Sequence, residues 1–149
     1  MRRLRQFAAL PRTEKAVFIR ALAMLPLIDI ELRLRGWRRC HARLAGSARR
    51  SGTAAAGLAP QRVAWLVARA ARYMPWPATC LRRSLVLWAL LERSGTPTAL
   101  RLGVRRQETS FEIHAWVELE GVPLNESRDI ADRFAVFDEA LTPGDWREA

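Results

Sequence analysis

Apolar residues recur with helical spacing in three stretches of the chain and alternate with polar ones in a fourth. The longest apolar stretch, Ala16 to Leu34, is interrupted by Arg20, Pro26, Asp29, Glu31 and Arg33, which argues against a bilayer span. It predicts a helix packed on protein, N-capped by Thr13 with Glu14 near its positive end and running to about Arg35. Pro26 predicts a kink or break in it and Gly36 a C-terminal stop. From Trp37 to Pro60 the chain is rich in Arg, Ala, Gly and Ser, with loop signals at Gly46-Ser47 and Ser51-Gly52-Thr53 and room for a short helix over His41 to Leu44. A second helix follows Pro60, burying Val63, Leu66, Val67 and Ala70, and ends before Pro75-Trp76-Pro77.

The two prolines force an extended approach to the third helix, because a residue preceding proline avoids helical angles. Thr79 is then the natural N-cap, and Cys80 falls in the first turn of a run, Cys80-Leu-Arg-Arg-Ser-Leu-Val-Leu-Trp-Ala-Leu-Leu91, that is apolar round almost its whole circumference. That pattern predicts a buried central helix stopping at Ser94-Gly95. Strands are predicted over Thr98 to Val104 and Ser110 to Leu119, with a polar turn between them and a hairpin at Glu120-Gly121 into Val122 to Asn125. Phe134, Val136, Phe137 and Leu141 are left to cover a sheet edge. The fold class is α+β, with an N-terminal helical, Arg-rich extension over 1–59 and a core over 60–149.

Composition narrows the function classes. At 149 residues, half of them hydrophobic, the chain buries a real core and is no disordered tail. Its net charge of +10 is uneven: residues 1–79 hold 16 basic and 3 acidic side chains, residues 80–149 hold 9 and 12. A basic face attracts nucleic acid, anionic lipid or an acidic peptide. However, 24 of the 25 basic residues are arginine amid abundant Ala and Leu, a pattern of coding bias, and no surface aromatics are interleaved as a nucleic-acid binder needs. The expectation is a cytoplasmic protein with reduced cysteines, without nucleic-acid partner or membrane contact. Two Cys and two His assemble no zinc ligand set, and no glycine loop cradles phosphate, so neither metal nor cofactor is expected.

The chemistry concentrates at Cys80 and His114. A helix N-terminus and a neighbouring imidazolium both favour the thiolate, the form in which cysteine is a nucleophile. In the second strand His114, Trp116 and Glu118 share one face, while Ile113, Ala115, Val117 and Leu119 share the other, which belongs in the core. A two-residue Glu120-Gly121 loop pairs Leu119 with Val122 and sets His114 opposite Ser127; a three-residue loop sets it opposite Glu126. Either register leaves Glu126 within reach to fix the imidazole tautomer, with Asp129 as the competing acid. Trp76, between its prolines, is the aromatic placed at the site, whereas Trp65, Trp88 and Trp116 read as core or pocket wall. Arg82-Arg83 reads as a pair of solvated first-turn arginines that could otherwise bind a carboxylate or phosphate. Cys40-His41 reads as structural, since adjacent side chains point apart.

Cys80-Leu-Arg-Arg-Ser-Leu, Leu90-Leu-Glu-Arg-Ser-Gly95, Leu100-Arg-Leu-Gly-Val104, His114-Ala-Trp-Val-Glu118, Gly121 and Asn125-Glu126 together resemble the transglutaminase-like leader peptidases of lasso peptide biosynthesis, in their stand-alone B2 form. The resemblance is strongest over about 60–127. It implies a papain/transglutaminase-like core in which a helix starting at the nucleophile packs on a small antiparallel sheet. It further implies a cofactor-free peptidase that removes the leader from a ribosomally made precursor, with Cys80 as nucleophile, His114 as its base and Glu126 standing where the family usually has aspartate. The implied partners are the precursor's leader, a separate leader-recognition protein and an ATP-dependent macrolactam-forming cyclase. The second oxyanion donor beside the Cys80 N–H is assigned to Trp76, and partner docking to the basic front half around Arg38, Arg39, Arg49 and Arg50. The rival classes are an acyltransferase or amide-exchange enzyme with the same triad, and a non-catalytic basic binding module.

Overall fold

The computed structural model describes residues 10–48 and 55–137, and Ser51-Gly52-Thr53, Arg49, Arg50 and Leu141 lie outside the described residues. Four helices and four strands follow one another as α1 (Arg12–Ala48), α2 (Pro60–Ala71), α3 (Cys80–Arg93), β1 (Ala99–Arg106), β2 (Phe111–Leu119), β3 (Val122–Pro123), α4 (Ile130–Arg133) and β4 (Ala135–Val136). The sheet is antiparallel throughout, in the order β3-β2-β1-β4. The architecture is α+β, as the alternation of periods along the chain predicts.

Helix α1 departs from expectation at both ends. It begins at Arg12, with the Pro11 carbonyl accepting from the Lys15 N–H at 2.9 Å, so Thr13 lies inside the first turn and is not the cap. The helix runs through Pro26, and its one non-helical residue is Gly36, at φ 74° and ψ 171°. That backbone suits only glycine comfortably, and it redirects the helix without ending it. The helix resumes after Gly36 because its next turns have a face to bury: Cys40 and Leu44 are buried, and the His41 ring stacks between Trp37 and Trp88 of α3, with centroids 5.2 and 4.7 Å away. The Arg43–Glu31 ion pair ties the two arms across the break.

One large buried cluster joins α1, α2 and α3 to Val117 of β2. The acidic residues that interrupt the apolar stretch of α1 are bonded cross-braces. Asp29 is buried and takes Arg82 of α3 at 2.5 Å and Arg33 at 3.1 Å; Glu14 takes Arg62 of α2 in a two-pronged contact at 2.9 and 2.9 Å. A second, smaller cluster of Trp116, Ile130 and Phe134 covers the opposite face of the sheet. Gly103 of β1 makes it fit: a Cβ there would lie 2.8 Å from the Phe134 Cβ and 2.9 Å from the Trp116 ring. Among the described residues no helix is long and apolar enough to cross a membrane.

Candidate active site

Cys80 opens α3. Thr79, in extended backbone, caps the helix by accepting from the Arg82 N–H at 3.4 Å, and Arg82 also donates to the Pro77 carbonyl at 3.5 Å. Through Asp29, the extended Pro75–Ala78 approach is thus tied to α1. Helical N–H groups at such a start have no intrahelical acceptor and leave a partial positive charge beside the sulfur. Cys80 is a free thiol, partly exposed.

His114 sits in the middle of β2, paired with Gly103 of β1. Its neighbours Ala115 and Val117 are buried on the side of α3, while its own ring stacks on Phe134 at 5.2 Å and near Trp116 at 6.4 Å. The division of β2 into two faces is the one its alternation predicts, except that Ile113, on the inward set, is 54% exposed where the strand runs past the helix.

The hairpin closes as a two-residue turn with Leu119 paired to Val122, and Glu120 and Gly121 both adopt left-handed backbone, at φ 51° and 77°. These angles match the inverse turn that follows the strands' own twist. Strand pairing stops at Glu118–Pro123, so the ladder never reaches the level of His114. Side chains carry the register instead. Asn125 accepts from the Val117 N–H at 2.8 Å and donates to the Ser84 hydroxyl at 2.9 Å, and Ser84 donates to the Ala115 carbonyl at 2.9 Å. With the chain pinned this way, Glu126 Oε1 lies 2.8 Å from His114 Nε2, the ring N–H donating to the carboxylate.

That bond sets the chemistry of the ring. With Nε2 carrying the proton for Glu126, the neutral imidazole keeps its lone pair on Nδ1, free to take a proton from a thiol or water. Asp129 is not brought to His114. It stands at the start of α4, where the Ser127 hydroxyl donates to its carboxylate and holds its pKa below the ordinary value. Trp76 is placed against α1, beside a pocket also lined by Pro26, Asp29, Ile30 and Arg33. Cys80 is given no hydrogen bond to His114; the two meet only through Ser84, one turn beyond Cys80 and bonded to the carbonyl next to His114.

Ser84 and Asn125 are the residues that sequence reasoning left without a role. The signal for Ser84 was available: it is the one hydroxyl in a fully buried stretch of α3, and a buried hydroxyl must find partners. Among the described residues no group of three or more His, Cys, Asp or Glu side chains is arranged to hold a metal.

A family model described as the transglutaminase-like superfamily matches residues 22–138. The chain belongs to the transglutaminase-like superfamily. This superfamily includes cysteine-triad enzymes, and its match takes in the second half of the first arm of α1 together with the whole sheet. No curated protein and no solved structure matches the chain.

Proposed function

We propose that the protein is a cysteine peptidase that hydrolyses the leader from the precursor of a ribosomally made lasso peptide. The observation that carries the reading is the His114–Glu126 bond, facing a sheet whose covering helix begins at a free, capped cysteine. The motif set from Cys80 to Glu126 supports the leader-peptidase specialisation within the superfamily.

In this mechanism Cys80 closes on the free Nδ1 of His114 when the substrate backbone fills the site; hydrogen bonds of unliganded enzymes commonly tighten at that stage. The thiolate attacks the scissile carbonyl, and the charge that develops on oxygen meets first-turn N–H groups of α3. The imidazolium, steadied by Glu126, protonates the leaving amine. His114 then draws a proton from water, which attacks the thioester and frees the leader as a carboxylic acid. No ATP or metal enters these steps. The proposed partners are a separate recognition protein that delivers the leader and a cyclase that takes the freed core, the basic face at Arg38 and Arg39 serving as their docking side. Complex formation that survives reversal of both charges would remove that docking assignment.

The direct test is incubation of precursor and recognition protein with wild type and with Cys80→Ala, read by mass. Wild type releases a leader ending in a free acid and Cys80→Ala releases none. A leader carrying an amine adduct would instead place the protein among the acyltransferases, which share the thioester. Cleavage by Cys80→Ala would remove the thiol from the mechanism.

A further inference from the structure

Three guanidinium groups converge beside the candidate acid, on the wall where α2 meets α3. A pocket of about 390 Å³ lies there, lined by Gln61 and Trp65 of α2, Arg83 and Leu87 of α3, and Asn125 and Glu126. Arg62 and Arg69 lie over the Trp65 ring at 4.2 and 5.1 Å. Arg62 is already neutralised by Glu14. Arg83 differs from its neighbour Arg82, which is spent on Asp29: the Arg83 Nε is buried and has no hydrogen-bond partner among the described residues. A buried donor without a partner is costly, of the order of 1–3 kcal/mol, so its persistence on a pocket wall points to a ligand that completes it.

We propose that this pocket is a binding subsite for a carboxylate presented by the substrate polypeptide, with Arg83 as its principal donor. The guanidinium fork matches a carboxylate in two parallel bonds. Ala64, Val67, Ala68 and Leu87 form the rest of the lining, which suits a short methylene stem behind the charge. Glu126 also borders the pocket, with one oxygen occupied by His114. A singly charged carboxylate tolerates that neighbour better than a dianionic phosphate does. Cys80 and Arg83 stand three apart on α3, which sets their Cβ atoms roughly 5–6 Å apart on one helix face. A carboxylate held at Arg83 therefore belongs to a residue within one or two positions of the carbonyl at Cys80.

The inference rests on the proposed polypeptide hydrolysis, and a binding experiment without turnover keeps the two separable. The Arg83 Nε–H resonance of the full chain, identified by its loss in Arg83→Lys, is followed by NMR during titration with N-acetyl-glutamate N-methylamide, its glutamine counterpart, N-acetyl-alanine and inorganic phosphate. The glutamate compound should shift the resonance to saturation, at an affinity at least tenfold above the glutamine compound, and Arg83→Gln should lose the binding read at neighbouring Asn125. Tighter binding of N-acetyl-alanine than of the glutamate amide would also carry the inference and assign the carboxylate to a chain terminus. Equal affinity for glutamate and glutamine, preference for phosphate, no saturable shift, or binding that survives in Arg83→Gln would overturn it. A peptidase assay that fails while the carboxylate still binds would refute the proposed function and leave the pocket standing.

Discussion

The chain holds two cysteines and two histidines, and the fold builds two opposite neighbourhoods from them. Cys40 and His41 are adjacent in sequence and sealed against α3. The Cys40 thiol, fully buried, is pushed up to about 11, chiefly by burial and next by Glu31, and burial alone holds the His41 imidazole below its ordinary value. Cys80 and His114 are 34 residues apart, partly exposed, and each is held by polar groups: a threonine cap for one, a carboxylate for the other. Proximity along the chain thus says nothing about reactivity. What separates the pairs is whether the surroundings favour charge: rings and aliphatic groups neutralise the first pair, while a helix start and an acid suit the second to ionise.

The comparison breaks most sharply by exchanging which thiol is lost. Cys80→Ala should abolish leader release, whereas Cys40→Ser should keep the wild-type rate and lose about 1–3 kcal/mol of stability, from a hydroxyl placed in an apolar wall. Iodoacetamide at pH 8 should label Cys80 alone, as peptide mapping would read. Labelling of both residues at similar rates would erase the contrast. Next in size is the acid. Glu126→Gln keeps the shape but not the charge, and kcat/KM should fall by roughly 10²–10⁴, while Asp129→Asn, turned to Ser127, should stay within about twofold of wild type. The reverse ranking would make Asp129 the acid.

Smaller effects come from the pinning residues. Ser84→Ala leaves the Asn125 amide and the Ala115 carbonyl short of a partner, so a stability loss of about 1–3 kcal/mol is expected in urea unfolding. The misplacement of Glu126 should lower kcat by up to roughly a hundredfold. Loss of stability with kcat intact would make Ser84 a core residue only.

The smallest effect is a pH slope. The unfolded chain takes up a proton on His41 near its ordinary 6.5, and the folded protein, with the lower value, does so only at more acid pH. The stabilisation by the neutral ring is complete above about pH 6.5 and is lost as pH falls towards the folded value. His41→Phe should remove this contribution, read as a flatter dependence of the urea midpoint between pH 7 and 5.

Local chemistry explains which parts were legible. Pro75, Pro77 and Thr79 dictate where α3 begins, whatever packs around it, and Glu120-Gly121 dictates a tight turn. The two faces of β2 follow from alternation. The fate of Gly36 did not, because a helix stop and a helix bend share the same glycine. The outcome depends on His41 finding Trp88, 47 residues away. Glu126 was legible as a neighbour of His114, but by a different route from the one expected: the ladder stops early and Asn125 does the pinning. Ladder arithmetic cannot see a side chain that replaces a backbone bond. Nor does sequence tell which of two adjacent arginines is consumed by an ion pair and which is turned into a pocket.

Gly103 gives the molecule a keyhole. Where the sheet lacks a side chain, Trp116 and Phe134 come together, and Phe134 is the ring on which His114 rests. The candidate base is therefore seated from behind by a vacancy on the neighbouring strand. One methyl group added at Gly103, a residue that would never touch a substrate, would work as a wedge, prying the aromatic seat from beneath the imidazole while leaving Cys80, His114 and Glu126 all in place in the sequence.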